Sequence, residues 1–194
     1  PQSETPKPGA AGFERVQNGS IASADGALEG AAHAAELAKV RPVVLGGAIQ
    51  GEARDVAREH ARLALKCMRR GDPARPPCVL LSGGETTVTV AGSGRGGRNT
   101  EYLLALALEL NGISGHAALA CDTDGIDGTE RNAGAIIEAD TLERARDNSV
   151  SPEDALARND AYGFFHDLGD LVTTGPTRTN VNDFRAILLT ESHY

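Results

Sequence analysis

The chain has 194 residues, 40% of them apolar and 24% charged, a globular balance that excludes disorder over most of its length. Lysine and arginine number 19 against 27 acidic residues, a formal charge of −8, so nucleic acid is not an expected partner. No run approaches the roughly 18 apolar residues of a membrane span, no signal-peptide pattern opens the chain, and Cys67, Cys78 and Cys121 make neither a disulfide framework nor a zinc pattern; a protein of the reducing cytoplasm, with no membrane partner, is expected.

Residues 1–19 carry Pro6, Pro8 and Gly9 without apolar periodicity and read as an extended polar lead-in. An alanine-rich helix is expected over 25–39, followed by a short strand over 42–45 that ends at Gly46-Gly47. Helical spacing returns over 52–70, with Val56, His60, Leu63 and Cys67 on one side and a solvated stripe of Arg54, Arg58, Arg62 and Lys66 on another. Asp72-Pro73 and Pro76-Pro77 then form a breaker that marks a boundary between two structural units, 1–74 and 75–194. Beyond it, strands over 78–82 and 86–90 suggest an antiparallel hairpin around Gly83-Gly84-Glu85. A glycine loop over 92–97 leads into a leucine-rich helix over 101–110 that must be buried on most sides.

Residues 116–121 read as a buried strand that opens into the acidic loop Asp122-Thr123-Asp124-Gly125-Ile126-Asp127-Gly128, and 135–137 as a further short strand. Ser151-Pro152-Glu153-Asp154 starts a helix by capping chemistry, and a second helix over 161–168 stops at Gly169. Strands over 171–174 and 184–189 close the chain around a polar loop, 175–183. The alternation of helices and strands, with a hairpin beside crossovers, gives an α/β class with a mixed sheet.

Three segments carry candidate chemistry. Gly92-Ser93-Gly94-Arg95-Gly96-Gly97 satisfies G-x-G-x-x-G, but a hairpin-paired strand before it is the wrong context for a dinucleotide site, and Arg98-Asn99 replaces the lysine and hydroxyl of a P-loop. Small residues, the following helix N-terminus and the forked donors of Arg95 and Arg98 suit an oxyanion or phosphate clamp; a hairpin exit with solvated arginines is the alternative. Asp122, Asp124 and Asp127 offer hard oxygen ligands for magnesium or contacts to substrate, or else an Asx-turn loop that caps its own amides. Gly83, Gly84 and Glu85 form a turn, or admit a ligand to the backbone. The histidines show no paired metal spacing, and the cysteines read as small apolar residues.

Taken together, Leu81-Ser82-Gly83-Gly84-Glu85-Thr86-Thr87-Val88, Gly96-Gly97-Arg98-Asn99, the leucine-rich helix, the acidic loop and Gly175-Pro176-Thr177 through Asn180-Val181-Asn182-Asp183 resemble the glycerate 2-kinase family, whose members are also named hydroxypyruvate reductase, and in particular its C-terminal MOFRL domain. Glu4-Thr5-Pro6-Lys7-Pro8-Gly9 resembles a segment from the middle of the longer family protein. The resemblance implies that residues 1–74 finish a Rossmann-like domain whose N-terminal part is absent, that 75–194 form the MOFRL domain, and that the active site lies between the two. It implies phosphoryl transfer from ATP to the 2-hydroxyl of D-glycerate with Mg2+, the N-terminal half of the same enzyme as partner, and leaves a homodimer open. By the same resemblance Arg98 is the functional arginine, Asp122, Asp124 and Asp127 orient magnesium or substrate, and Gly83, Gly84, Glu85, Asn99, Asn180, Asn182 and Asp183 line the substrate cleft. An NAD(P)H-dependent hydroxypyruvate reductase and a non-catalytic ligand-binding fragment are the alternatives.

Overall fold

Backbone pairing and the alternation of apolar side chains build one mixed sheet with helices on both faces. The computed structural model describes residues 7, 13, 16, 17, 19 and 21–191. Most of the expected lead-in, including all of the 4–9 segment except Lys7, lies outside them, as does His193. The elements run α1 (Ala24–Leu37), β1 (Arg41–Glu52), α2 (Ala53–Arg70), β2 (Cys78–Thr87), α3 (Arg98–Glu109), β3 (His116–Asp122), β4 (Gly134–Glu138), α4 (Thr141–Asp147), α5 (Pro152–Ala157), α6 (Ala161–Leu168), β5 (Leu171–Val172) and β6 (Asp183–Leu189). Strand order is β1-β2-β6-β3-β4-β5. Among the described residues, β1 and β2 alone pair in parallel, and the other neighbouring pairs are antiparallel.

Period-two alternation sorts each central strand between two cores. Cys78 and Leu80 of β2, Ala118 and Ala120 of β3, and Ile187 and Leu189 of β6 join the large core built by α2, α3 and α6. Val79 and Leu81 face the other way, against Leu28 of α1, with Phe184, Ala186 and Leu188 at the edge of that smaller cluster. The leucine-rich helix α3 is buried from Asn99 to Ala107, as its lack of a polar face requires. Among the described residues no helix is long and apolar enough to cross a membrane.

Two expectations are corrected. No hairpin exists at Gly83-Gly84-Glu85, because 78–87 is one continuous strand hydrogen-bonded to β1 on one side and β6 on the other. The two glycines are there for close strand approach. A Cβ on Gly84, whose φ is +136°, would sit 2.1 Å from the Ile49 carbonyl oxygen, and Gly83 lies against Gly47 where β1 breaks register. Nor do residues 24–74 separate from those after them: β1 extends the sheet, and Val56, Ala57, Ala61, Ala64 and Cys67 of α2 share the main core with α3.

Locally encoded ends appear where their chemistry places them. Ser151 accepts from the Asp154 N–H ahead of Pro152, and Gly169 closes α6 in the left-handed region. The 171–174 strand shrinks to Leu171–Val172, and α4 forms without having been foreseen.

Candidate active site

The carboxyl ends of β2 and β3 and the start of β6 meet the N-terminus of α3, and ladder register decides what gathers there. Asp122 of β3 stands directly opposite Asp183 of β6. Two like charges in that position repel unless a cation lies between them. Arg98, the first residue of α3, supplies it: Nη2 donates to Asp122 Oδ2 at 2.6 Å, Nε to Asp183 Oδ1 at 2.8 Å, and Nη1 to Glu85 Oε1 at 3.0 Å. All three guanidinium nitrogens are thus engaged, each with a different carboxylate.

Asp183 is the hub, with a side chain 0% exposed. Besides Arg98 it accepts from Asn99 Nδ2 at 2.8 Å, from the Thr86 N–H at 3.3 Å, and from Arg185 Nη2 at 2.5 Å. Four donors thus converge on its two oxygens. Arg185 is itself buried, stacks 5.2 Å over the Tyr102 ring and also donates to Thr86 Oγ1 at 3.0 Å. Behind it the Tyr102 hydroxyl and His60 Nδ1 lie 2.8 Å apart.

Burial works against the Arg98 charge, but the Asp183 and Asp122 carboxylates outweigh it and hold the guanidinium above its ordinary value. Burial raises the Asp122 carboxyl against the pull of the Asp124 N–H and of Arg98, and lowers the Arg185 guanidinium.

The expected meeting of Arg98 with the acidic loop is therefore present, but the loop's three aspartates part company. Asp127 is turned away from any ligand: its carboxylate accepts from the Asn99 and Thr100 backbone N–H groups at 3.0 and 2.9 Å and from Thr100 Oγ1 at 2.9 Å. Burial raises its carboxyl even so, against those hydrogen bonds. Since the N-cap residue of α3 is Gly97, which has no side chain to cap with, Asp127 does that work from the acidic loop. Asp124 accepts from the Ile126 N–H at 2.8 Å, an Asx turn, and from Asn180 Nδ2 at 3.4 Å.

The same facts correct the phosphate clamp expected at the glycine loop. The α3 N-terminus already holds a carboxylate, and the loop N–H groups are spoken for: Gly92 by Asn159 Oδ1 at 2.9 Å, Gly94 by the Arg158 carbonyl at 2.9 Å, Arg95 by Asp160 Oδ1 at 3.1 Å. Cβ atoms on Gly92, Gly94 and Gly97 would lie within 2.4 Å of Arg158, Asp160 and Asp127. These glycines make a packing seam against the α5–α6 turn, and Arg95 stacks 4.7 Å over Tyr162.

Of the residues expected at the cleft, Arg98, Asn99, Glu85, Asp122 and Asp183 converge. Asn180 and Asn182 sit beside them on the 174–182 loop, which is tied to the acidic loop where the Thr123 hydroxyl donates to the Asn182 carbonyl at 2.8 Å. Gly83 and Gly84 contribute backbone inside the sheet, paired with β1 and β6. The sequence reading passed over Arg185 and Thr86, although the inward positions 183, 185, 187 and 189 of β6 put a charged pair where apolar residues were due. Arg54 is likewise not simply solvated, since its Nε reaches the buried Glu101 at 2.6 Å.

An open cavity of about 900 Å3 adjoins Asp122 on the α1 side of the sheet, with Ser23, Thr123, Thr177 and Thr179 in its walls. A smaller one of about 480 Å3, lined by Arg69, Arg70 and Arg75, opens at the other end of β2. Among the described residues no group of three or more His, Cys, Asp or Glu side chains is arranged to hold a metal ion. Magnesium does not fit the acidic residues as they stand, because Asp122 and Asp183 face a guanidinium and Asp127 faces a helix.

Residues 78–183 match the MOFRL family. A protein of Agrobacterium vitis carrying a hydroxypyruvate reductase name is 51% identical over 189 residues, which are 96% of this chain and 42% of that protein. The glycerate 2-kinase of Pyrococcus horikoshii is 34% identical over 176 residues, 90% of this chain and 40% of its own length. The crystal structure of a glycerate kinase from Thermotoga maritima superposes with a TM-score of 0.85 at 33% identity, covering 88% of this chain and 41% of the other. The chain thus spans about two fifths of the length of these relatives. The chain belongs to the MOFRL family, whose model matches more than half of it.

Proposed function

We propose that this chain is the C-terminal part of a glycerate 2-kinase, which transfers the γ-phosphoryl group of ATP to the 2-hydroxyl of D-glycerate and releases ADP and 2-phosphoglycerate. The observation that carries the reading is Arg98, a guanidinium fixed at the strand ends by buried carboxylates, one of which, Asp122, also borders the large cavity on the α1 side of the sheet. Phosphoryl transfer spreads negative charge over equatorial oxygens, and a positioned guanidinium stabilises that charge without covalent chemistry. Nε and Nη2 are held by buried carboxylates, whereas Nη1 is shared with the exposed Glu85. Nη1 is therefore the nitrogen that can exchange its partner for a phosphoryl oxygen while the other two keep the group aimed.

Asn180, Asn182 and the threonines of the cavity offer hydrogen bonds suited to the carboxylate and hydroxyls of D-glycerate. ATP is the co-substrate in this reading. The Rossmann-like N-terminal half supplies the opposite wall of the cleft, and a homodimer and a cytoplasmic location belong to the same reading. No step is assigned to Mg2+ on the residues of this chain.

The names of the Agrobacterium relatives favour a second reading, an NAD(P)H-dependent hydroxypyruvate reductase. Against it stands the glycine loop, whose amides bind residues 158–160 and whose helix N-terminus binds Asp127. The test is a pair of assays on the longer protein that contains this chain, ADP release with D-glycerate and ATP, and NADH or NADPH oxidation with hydroxypyruvate. ADP release alone is the expected result; hydroxypyruvate-dependent oxidation without ADP release would overturn it. The same assays on the 194-residue chain are expected to show no turnover, and normal turnover would sink the view that a further half is needed.

A further inference from the structure

We propose that the cavity of about 480 Å3 at the start of β2 binds a phosphate ester, a small molecule with a dianionic phosphate at one end and a compact apolar body at the other. Its charged wall is made by Arg69 and Arg70, from the last turn of α2, and by Arg75, from the segment that joins α2 to β2. Two arginines at a helix C-terminus are explained by the helix dipole alone. Arg75 is not, because it belongs to no helix. The turn at Gly71 brings it back to the same cavity: φ there is +66°, and an added Cβ would stand 2.9 Å from Arg75 Nε.

Acids outnumber bases 27 to 19 in this chain, and Arg54, Arg98, Arg144 and Arg185 all hold carboxylates. Among the described residues, Arg69, Arg70 and Arg75 make no ion pair and no side-chain hydrogen bond. Asp72, close by in sequence, is held by Lys66 at 2.7 Å. Glu191 brings a single carboxylate to the cavity wall. Three guanidinium groups against one carboxylate leave two positive charges, which a phosphate monoester matches with about −1.5 to −2 at neutral pH and a monocarboxylate does not. Guanidinium forks also take phosphate oxygens two at a time. The three arginines are exposed, so the phosphate sits at the mouth, while Met68, Pro76 and Ile113 cover the apolar body. The Arg98 cluster lies at the opposite end of β2, roughly 23 Å away from Cys78 to Glu85 at 3.3 Å per residue. This site and the kinase reading therefore stand or fall separately.

The probe is phenyl phosphate, titrated by isothermal calorimetry into the 194-residue chain and into the longer protein that contains it, with benzoate as the monoanionic control. One phenyl phosphate per chain is expected, bound about tenfold more weakly after Arg70→Ala or Arg75→Ala and about tenfold more tightly than benzoate. Arg98→Lys is expected to leave that binding unchanged, and the same Arg75-dependent binding is expected in the longer protein. Absence of binding, binding that Arg70→Ala and Arg75→Ala leave intact, loss in Arg98→Lys, or benzoate bound as tightly as phenyl phosphate would each overturn the assignment. Arg75-dependent binding that disappears in the longer protein overturns it as well, since the cavity would then be a surface covered by the rest of the enzyme. Where the two proteins disagree, the longer one decides.

Discussion

Removing the Asp127 carboxylate should uncouple the acidic loop from α3 and lower stability more than an ordinary surface change. Asp127 is 1% exposed and accepts from two backbone N–H groups and one hydroxyl at the start of a helix whose N-cap residue is glycine. Loss of a cap costs about 1 kcal/mol. Each buried donor left without a partner adds roughly 1–3 kcal/mol, less whatever water recovers. Asp127→Ala is therefore expected to cost ~4 kcal/mol, which at ~2–4 °C per kcal/mol for a domain of this size lowers Tm by ~8–16 °C. Asp127→Asn keeps one acceptor but turns an NH2 toward other donors, and should fall between, near ~2 kcal/mol. Thermal unfolding followed by far-ultraviolet circular dichroism measures both. A Tm change under ~2 °C for Asp127→Ala would mean that the α3 amides do not depend on this carboxylate, and the capping argument would be wrong.

Acid should destabilise the fold through His60, whose burial, with Arg185 nearby, lowers its pKa from 6.5 to about 4. Between those values the unfolded chain takes up the proton and the folded chain does not, so the stability present above pH 6.5 declines by about 3 kcal/mol as pH falls toward 4. Urea unfolding at pH 7 and pH 4.5 should show a smaller loss for His60→Gln than for wild type, and equal losses would contradict the assignment. Arg54→Met leaves the buried Glu101 carboxylate with Asn159 as its remaining side-chain partner and should cost about 2–3 kcal/mol in urea, part of it recovered by adding Glu101→Gln. Gly84→Ala, which drives a Cβ to 2.1 Å from the Ile49 carbonyl at a φ of +136°, should abolish soluble folded protein. Gly30→Ala, in open space on α1, should instead raise stability by ~0.5–1 kcal/mol; equal behaviour of the two glycine variants would refute the strand-approach reading.

What the sequence made legible was what neighbouring residues decide among themselves. Ser151 before Pro152 starts α5, Gly169 ends α6, and the unbroken apolar run of α3 from Tyr102 to Leu108 requires burial on nearly all sides. The misreadings arose where a distant segment sets the geometry. Gly83-Gly84 looks like a turn in isolation, yet the pair exists because β1, with its own glycines Gly46 and Gly47, passes close beside it. The glycine loop looks like a phosphate cradle until residues 158–160 are seen to fill it. Arg98, Glu85, Asp122 and Asp183 were each identifiable by type, but their convergence depends on the pairing of β3 with β6 and on where α3 begins. Arg185 illustrates the opposite failure, because its inward position follows from simple alternation with Ile187 and Leu189.

Steady-state ADP release with D-glycerate and ATP, compared between wild type, Arg98→Lys and Arg98→Ala in the longer protein, tests most directly whether the carboxylate-held guanidinium acts on the phosphoryl group. Loss of one such transition-state donor is expected to lower kcat by about 10²–10³-fold with KM little changed, with partial recovery in Arg98→Lys. A folded Arg98→Ala enzyme whose kcat equals that of wild type would contradict the role given to Arg98.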